Sequence, residues 1–332
     1  MNSIFPNSIN KGDKIMVIAP SDALKSTSGT KDLAQKRLES EFGVEVVYSS
    51  NCFDFDTDDS ESILKRAIDL NNAFSDKSIK AVICGTGGFN ANEILPFINW
   101  DVVKNNPKVF IGSSDNTVLV NAIYAKTGLV TYYGPNFFKF GMKLGLEYTL
   151  DYFKKCLTDK ASFLITPSEK WSNDKWFKDQ DNRNFIKNEG FLLCSSGTVK
   201  GSLIGGNLCS LNLLQGTEYF PVTDNKTILF IEDDDLAGED TFGEFKRNLT
   251  SLMQTPLSKF VSGIVLGRFA VNSQMDNEKI KKLFESNKIF KNVPVVANVD
   301  FGHCDPNITF PLGGEVSLSA SEEKVEIAVE KH

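Results

Sequence analysis

Histidine is scarce in this sequence: only two of the 332 residues are His, namely His303 and the C-terminal His332. A metal site built from several histidines is therefore nearly excluded. The six cysteines are scattered without a CxxC pair, which argues against a zinc site or a disulfide framework and favours reduced, mostly buried thiols.

Several other signals are also absent. There is no GxGxxG dinucleotide fingerprint and no GxxxxGKS/T phosphate loop, so we expect neither a cofactor nor a metal. No cluster of Lys and Arg stands out and the net charge is −7, which disfavours a nucleic-acid polymer as partner. Because about 18 apolar residues never run together and the start lacks a charged region followed by an apolar stretch, we expect a cytoplasmic protein without a membrane partner.

The sequence does contain enough apolar material for a large core. Apolar residues make up 41% and charged residues 24%, and 26 residues are phenylalanine, which is typical of a globular protein. A chain of 332 residues exceeds the size at which one core usually stops growing, so about two domains are expected.

The first half alternates between apolar strands and helical patterns. Between the second and third strands, Ile63, Ala67, Leu70 and Phe74 recur with helical spacing behind Ser60, which we take as the helix cap. The strands are continuous apolar runs, typical of strands buried on both faces, and their order predicts a parallel sheet covered by helices. The predicted strands are KIMVIAPS (14–21), VEVVYSS (44–50), KAVICGTGG (80–88), KVFIGSSD (108–115) and GLVTYYGP (128–135).

Beyond about residue 165 the pattern changes. A polar stretch with two tryptophans, at about 166–190, predicts a long loop, and shorter strands with one helix near 276–290 follow. We therefore divide the chain into an α/β domain, 1–165, and a β-rich domain, 166–332. The predicted strands of the second domain are GTVKGSLIGG, KTILFIED, SGIVLGRF, VPVVANVD and those of the tail EVSLSASEEKVEIAV.

The run FIGSSDNTVLV, residues 110–120, is an apolar strand that ends in a glycine, two serines and an aspartate before a helix. In open α/β sheets, chemistry gathers at the carboxyl ends of strands. One interpretation is that Ser114 or Asp115 merely caps the helix. The other is a nucleophile elbow, which presents the Ser114 hydroxyl and offers helix N–H groups to an oxyanion. Gly112 fits an elbow, but Asn116 stands where a second glycine is usual.

A serine nucleophile needs a base, and the scarcity of histidine narrows the choice. Apart from the chain end, only His303 offers an imidazole, and it lies in a Gly-, Pro- and Asn-rich loop after a predicted strand. A purely structural hydrogen bond is its alternative role. Glu232 ends the strand TILFIE and could orient an imidazole. The acidic run Asp233–Asp235 that follows leaves a metal loop open, although the spacing expected of oxygen ligands is absent.

Two glycines, Gly87 and Gly88, follow the third predicted strand in GTGGFNANEILPF. A glycine has no Cβ, so its backbone N–H can approach a substrate closely. A plain glycine-rich turn between a strand and a helix is the alternative interpretation.

Seven ordered blocks, covering about residues 11–315, resemble the LD-carboxypeptidase family of serine peptidases, particularly its branch of microcin C self-immunity (MccF-like) proteins. The resemblance implies a Rossmann-like N-terminal domain with a mainly parallel sheet, joined to a smaller β-rich C-terminal domain, usually as a homodimer. The blocks are GDKIMVIAPSD, GTGGFNANEILPF, GSSDNT, GSLIGGNLCSLNLLQGTEYFP, ILFIED, GIVLGRF and FGHCDPNITFPLG.

The same resemblance implies a catalytic triad, with Ser114 as nucleophile, His303 as base and Glu232 as the residue that orients the base. It also implies an oxyanion hole made by the backbone N–H groups of Asp115 and Gly88, with Gly87 as the other candidate for the glycine donor.

The sequence of the turn at Gly87 and Gly88 indicates which substrate class to expect. Family members that recycle peptidoglycan typically carry Arg-Gly-Gly-Tyr-Gly there, whereas this sequence reads TGGFN and continues with Ala and Asn. This departure resembles the immunity branch and makes Gly87, Asn90 and Asn92 candidate substrate contacts. That branch also has a Trp-containing loop whose aromatic residue stacks on a nucleobase, which suggests Trp171 or Trp176. Alternatively, both tryptophans only anchor the loop.

The resemblance therefore implies hydrolysis of a C-terminal amide-type bond in a microcin C-type peptidyl- or aminoacyl-nucleotide, which would disarm a toxin. One alternative is an LD-carboxypeptidase that removes the terminal D-Ala of a cytoplasmic murein tetrapeptide. The second alternative is a non-catalytic, ligand-binding descendant of the family. The third alternative is a metal-dependent hydrolase built on the acidic run Asp233–Asp235.

Overall fold

The chain forms two large β-sheets with helices packed around them, and the computed structural model describes residues 3–57, 59–285, 288–290 and 292–332. The strands are β1 (Lys14–Ile18), β2 (Glu45–Tyr48), β3 (Ile79–Cys84), β4 (Val109–Gly112), β5 (Thr131–Tyr133), β6 (Phe163–Ile165), β7 (Lys170–Trp171), β8 (Ile186–Lys187), β9 (Leu192–Ser195), β10 (Gly197–Asn207), β11 (Thr227–Glu232), β12 (Val261–Gly267), β13 (Val295–Val299), β14 (Phe310–Leu312), β15 (Glu315–Ala320) and β16 (Val325–Lys331). The α-helices are α1 (Ser28–Phe42), α2 (Ser60–Ser75), α3 (Trp100–Asn105), α4 (Thr117–Thr127), α5 (Glu147–Leu157), α6 (Leu208–Asn212), α7 (Thr241–Met253) and α8 (Asn277–Glu285).

The first sheet has six strands in the order β14-β5-β4-β3-β1-β2. All its pairings are parallel except the one between β14 and β5. The apolar runs therefore form the buried parallel sheet that the alternation with helices predicts, and the fold class is confirmed. The carboxyl ends of β3, β4 and β5 consequently meet at one edge.

The second sheet has eight strands in the order β6-β16-β15-β10-β11-β12-β13-β9. Its four central strands, β10 to β13, are parallel, and its outer pairings are antiparallel. The parallel centre requires crossover connections, which α6, α7 and α8 supply. The sequence patterns predict a strand-rich half, but this parallel centre is not among our predictions.

The two sheets exchange strands at their margins. β14, from the C-terminal part of the chain, pairs with β5 in the first sheet, and β6 pairs with β16 in the second. A division of the chain at residue 165 therefore stays a prediction. The exchange fastens the loop before β14, which carries His303, to the sheet that carries Ser114.

The amphipathic helix predicted around Ile63 is α2, in which Ala67, Leu70 and Phe74 are buried. Its cap differs from the prediction: Asp59 accepts the N–H of Glu61 at 3.0 Å, and Ser60 is the first helical residue. The Asp59 carboxylate therefore supplies the acceptor that Ser60 was expected to supply. The helix predicted near 276–290 is α8, which ends at residue 285; residues 286, 287 and 291 lie outside the described part of the chain.

The core continues from the first sheet into the second, because one cluster of buried apolar side chains includes residues of β3 and β4 as well as β10 to β13. A second cluster covers the other face of the first sheet. All six cysteines are free thiols, and four of them are buried. No helix in the described residues is both long and apolar enough to cross a bilayer.

We predict that Gly205→Ala in β10 destabilises the fold strongly. Gly205 has φ +148°, and a Cβ at this position would lie 1.8 Å from the carbonyl oxygen of Phe230 on the neighbouring strand. Gly216→Ala is the matched control, since Gly216 also has a positive φ, +78°, but open space around it. We expect urea denaturation to show a loss of about 2–5 kcal/mol for Gly205→Ala and about 1–2 kcal/mol for Gly216→Ala. Equal losses in the two variants would contradict the close strand contact.

Candidate active site

The turn after β4 holds Ser114 in a strained backbone conformation. Ser114 has φ +61°, in the left-handed region that residues other than glycine rarely occupy. A short 3-10 turn, Ser114–Asn116, then leads into α4. A serine at the sharp corner between a buried strand and a helix is the arrangement of a nucleophile elbow. The second glycine of the usual motif is therefore not needed for this geometry.

In the described structure, neither Ser114 nor Asp115 acts as a helix cap. The carboxylate of Asp115 accepts hydrogen bonds from the N–H of Ala91 at 2.8 Å and from the hydroxyl of Ser21 at 2.5 Å. The Ser114 hydroxyl faces His303 instead of the helix. Asp115 thus ties the serine turn to the segment after Gly88, and the hydroxyl of Ser114 stays available for chemistry.

Ser114, His303 and Glu232 lie in one line of hydrogen bonds. The Oγ of Ser114 is 3.1 Å from Nε2 of His303, and Nδ1 of His303 is 2.7 Å from Oε2 of Glu232. Glu232 is the last residue of β11, and His303 lies in the loop after β13. Residues far apart in the chain, and on different sheets, therefore meet at a single point.

A fourth residue, Tyr133, joins this line and is missing from our sequence-based candidates. Its hydroxyl donates to Oε1 of Glu232 at 2.6 Å and accepts the backbone N–H of Ser114 at 3.1 Å. Tyr133 ends β5, the strand beside β4. A hydroxyl at the end of a strand that neighbours the serine strand is the sequence signal that could have found it.

The pKa values of His303 and Glu232 shift in opposite directions. Burial by itself lowers the pKa of His303, but the Glu232 carboxylate outweighs it and raises the pKa to about 9. Burial by itself raises the pKa of Glu232, but His303 and the hydrogen bonds from neighbouring side chains hold that pKa below its usual value. Glu232 is therefore an ionised carboxylate inside the protein, balanced by the imidazole.

The Gly87-Gly88 turn lies directly beside the serine. A Cβ at Gly87 would be 3.1 Å from Oγ of Ser114, so only glycine allows this approach without displacing the hydroxyl. Within the described part of the chain, the N–H groups of Gly88 and Asp115 have no protein acceptor. Two free backbone donors near a nucleophile are what an oxyanion hole requires.

A cleft of about 390 Å³ opens over Ser114 and His303. Both glycines of the turn line it, and so do the aromatic side chains of Phe138, Trp176 and Phe177. Trp176 stacks on Phe138 with ring centroids 5.6 Å apart and is 3% exposed, whereas Phe177 is 54% exposed. The cleft thus has a polar floor and one aromatic wall.

Three of the predicted substrate contacts lie away from this cleft wall. Trp171 lines a different groove, where its ring packs against the guanidinium of Arg268 at 5.0 Å. Asn90 and Asn92 are not among the described residues that line the cleft, and the carbonyl of Asn90 accepts a hydrogen bond from buried Arg66. Of the two tryptophans, only Trp176 therefore lies beside Ser114.

The loop that carries Trp176 is tied to the loop that carries His303. Ser172 and Asp305 exchange two backbone hydrogen bonds of 2.7 Å each. The Asp305 carboxylate also pairs with Lys139, at 2.5 Å, and lies 3.6 Å from Arg183. These contacts, which sequence patterns do not reveal, hold the segment that carries Trp176 next to the His303 loop.

The acidic run after Glu232 does not form a metal site in the described residues, where no group of three or more His, Cys, Asp or Glu side chains is arranged to hold an ion. Burial, together with Glu232 and Asp234, raises the pKa of Asp233 to about 8. Asp235 instead accepts a hydrogen bond from Asn272 at 2.7 Å. A metal-dependent hydrolase therefore finds no support in this geometry.

Both halves of the chain match a family of serine peptidases. Residues 15–134 match the LD-carboxypeptidase N-terminal domain, and residues 200–318 match the LD-carboxypeptidase C-terminal domain. These matches span more than half of the chain, so it belongs to the LD-carboxypeptidase family, as the seven sequence blocks suggest. The chain is accordingly a serine peptidase.

Similar proteins cover nearly the whole chain. The Bacillus subtilis protein YocD is 40% identical over 329 residues, covering 99% of this chain and all of YocD. The microcin C7 self-immunity protein MccF of Escherichia coli is 33% identical over 281 residues, covering 81% of this chain and 79% of MccF. A more distant relative is the murein tetrapeptide carboxypeptidase of Pseudomonas aeruginosa, 26% identical over 262 residues and covering 78% and 79%.

Solved structures share the same fold. An MccF-like protein from Bacillus anthracis superposes with a TM-score of 0.97 at 44% identity, covering 99% of this chain and all of the other. MccF in complex with aspartyl sulfamoyl adenosine gives a TM-score of 0.87 at 29% identity, covering 99% of both chains.

We predict that Glu232→Gln lowers the pKa of His303 below its ordinary 6.5, because the charge that raises this pKa is lost while burial, which lowers it, remains. Asp234→Asn is the control, since Asp234 also raises the pKa of His303, but less than Glu232 does. We expect it to lower the pKa only slightly. A pH titration of the imidazole resonances by NMR measures both variants. An unchanged titration in Glu232→Gln would show that the carboxylate does not govern the imidazole.

Proposed function

We propose that this chain hydrolyses a C-terminal amide-type bond through a triad of Ser114, His303 and Glu232. The hydrogen-bonded line from the serine hydroxyl to the buried carboxylate carries this proposal. The reaction uses the neutral fraction of His303, which grows as the pH rises toward the pKa of about 9. Neutral His303 takes the proton of Ser114 as Oγ attacks the scissile carbonyl, and then gives it to the departing amine. Water repeats the cycle on the acyl-enzyme and releases the acid. Glu232 holds the Nδ1–H tautomer, which leaves the Nε2 lone pair facing the hydroxyl.

The backbone N–H groups of Asp115 and Gly88 would stabilise the tetrahedral oxyanion. Neither N–H group has another acceptor among the described residues, and the Asp115 carboxylate ties its own turn to Ser21 and to Ala91. Donors that are already oriented pay no reorganisation cost when negative charge develops. Gly87, where a Cβ would lie 3.1 Å from Oγ, then serves mainly to leave room for the substrate carbonyl.

We predict that Ser114→Ala abolishes hydrolysis, with kcat falling by about 10⁴-fold or more, because the acyl-enzyme can no longer form. Ser113→Ala, which removes the other hydroxyl of the same turn, keeps most of the activity. EDTA leaves the wild-type rate unchanged. These rates are measured on purified protein with an amide substrate that releases a chromophoric amine. Loss of activity on chelation, with Ser114→Ala unaffected, would replace the serine mechanism with a metal-dependent one.

We further propose an aminoacyl- or peptidyl-nucleotide of the microcin C type as substrate. The MccF complex with aspartyl sulfamoyl adenosine supports this choice, since that ligand joins an aminoacyl group to a nucleoside. The aromatic wall of the cleft also supports it, because a purine stacks well on flat rings. We place the base against the exposed ring of Phe177, which Trp176 supports from within the wall. Cleavage between the terminal aspartyl residue and the amine-bearing nucleotide would detoxify an antibiotic and confer resistance on the cell.

The setting of this activity is part of the same proposal. We infer that the chain works as a homodimer in the cytoplasm, where a processed toxin would act on the cell. The family resemblance supports the dimer. No nucleic-acid polymer, membrane or cofactor is part of the proposed reaction.

We predict that the enzyme prefers an aspartyl-nucleotide phosphoramidate over an L,D-tetrapeptide when the two are assayed side by side. Phe177→Ala should raise KM for the nucleotide by about tenfold, the worth of one stacking contact, since this ring lies in the cleft wall and is 54% exposed. Trp171→Ala is the matched control and should leave KM unchanged, because Trp171 lines another groove. A clear preference for the tetrapeptide would instead make the chain a murein tetrapeptide carboxypeptidase, while the triad would stand.

A further inference from the structure

We propose that Tyr133 is a positioning residue that closes a ring of hydrogen bonds, running from the backbone of Ser114 through Glu232 and His303 back to the Ser114 hydroxyl. The inference rests on the proposed function, because the ring matters for catalysis only if these residues carry out hydrolysis. It adds to the triad a fourth member that lies in the first sheet.

The direction of each hydrogen bond follows from the donors available. The Ser114 N–H can only donate, so the Tyr133 oxygen accepts it and the single phenol proton points to Oε1 of Glu232. The other carboxylate oxygen, Oε2, then accepts Nδ1–H of His303. In the neutral imidazole, Nε2 of His303 is left with a lone pair that faces the Ser114 hydroxyl. One orientation of Tyr133 thus selects the tautomer that a general base requires.

Tyr133 is shielded from solvent, and the side chain of Thr117 is one further hydrogen-bonding neighbour of its hydroxyl. The Tyr133 side chain is 1% exposed, and its ring packs against Phe310 with centroids 5.3 Å apart. In the sheet, Tyr133 pairs with Gly112 on one side and Phe310 on the other, which holds the ring between β4 and β14. Because bulk water is excluded, a lost hydrogen bond at this position is not replaced by solvent.

The tyrosine also joins the two sheets at the site. Tyr133 is a residue of the first sheet, where it pairs with Gly112 and with Phe310. Glu232 is a residue of the second sheet. The hydrogen bond of 2.6 Å from the Tyr133 hydroxyl therefore fixes the Glu232 carboxylate relative to the serine turn. A carboxylate with one oxygen held by a phenol cannot rotate freely, so the second oxygen stays in line with His303.

The test is a pH titration of His303 in Tyr133→Phe, followed by imidazole NMR. The phenol stabilises ionised Glu232, so its removal makes the carboxylate more basic, and the imidazole proton becomes harder to remove. We expect the pKa of His303 to rise by about one unit. The other groups that act on His303, Asp234 and Lys139, are unchanged in this variant. Only two histidines are present, so the resonances can be assigned with a His332→Gln variant.

Tyr132→Phe is the matched control. Tyr132 is the preceding residue of the same strand and is equally buried, at 3% exposed, but its side chain packs on the opposite face of the sheet. We expect Tyr132→Phe to match the wild type in the pKa of His303 and in activity. In Tyr133→Phe, kcat should fall about ten- to hundredfold with KM nearly unchanged, because Tyr133 is not among the described residues that line the cleft.

Site-specific replacement of Tyr133 by 3-fluorotyrosine tests the same bond with the shape retained, and it serves also if Tyr133→Phe does not fold. The fluorinated phenol is the stronger donor, so we expect the pKa of His303 to fall. Opposite shifts in the two variants support the ring. An unmoved His303 titration in the folded variants overturns the inference, even if the rate drops, since packing alone would then explain the loss.

The titration also separates this inference from the proposed function, because it needs no substrate. If the wild type cleaves neither the nucleotide nor the tetrapeptide while His303 shifts as expected, the ring is supported and the proposed function fails. If hydrolysis occurs but His303 does not respond to Tyr133, the proposed function stands and the inference fails.

Discussion

The hydrogen bond between His303 and the fully buried carboxylate of Glu232 is the interaction on which the site depends. An ionised carboxylate inside a protein is costly unless a partner and further hydrogen bonds compensate it. The imidazole is that partner, and the Tyr133 hydroxyl satisfies the second oxygen. In return, the carboxylate raises the pKa of the imidazole above the value that burial alone would give. The ionised Glu232 carboxylate and the His303 imidazole therefore stabilise each other.

This unit exists because the fold brings two sheets to one point. Ser114 comes from a strand end of the first sheet and Glu232 from a strand end of the second. β14 crosses into the first sheet soon after the His303 loop, and the Ser172–Asp305 bridge ties that loop to the aromatic wall. The aromatic wall and the hydrogen-bonded line of Ser114, His303 and Glu232 thus share the same structural supports. A shift of either sheet would therefore change the distances between Ser114, His303 and Glu232.

Much of the fold could be predicted from local patterns, because periodicity reports directly on which side chains are buried. The apolar runs of the first half are parallel strands, and the stripe from Ile63 to Phe74 is the buried side of α2. The parallel centre of the second sheet escaped prediction, since short strands look alike whether their neighbours are parallel or antiparallel. The cap at Asp59 in place of Ser60 has a local cause as well: two adjacent residues could both cap, and only the backbone conformation decides.

The candidate site likewise has a part that local sequence predicts and a part that depends on the fold. Ser114, His303 and Glu232 could be named as candidates from local sequence, because strand ends, the scarcity of histidine and a terminal carboxylate are visible in one dimension. That these groups meet, that Tyr133 joins them, and that Trp176 rather than Trp171 lines the cleft emerges only in the folded protein. Hydrogen bonds and ring contacts depend on distances of a few ångströms between residues as many as 189 positions apart, and sequence spacing does not encode such distances.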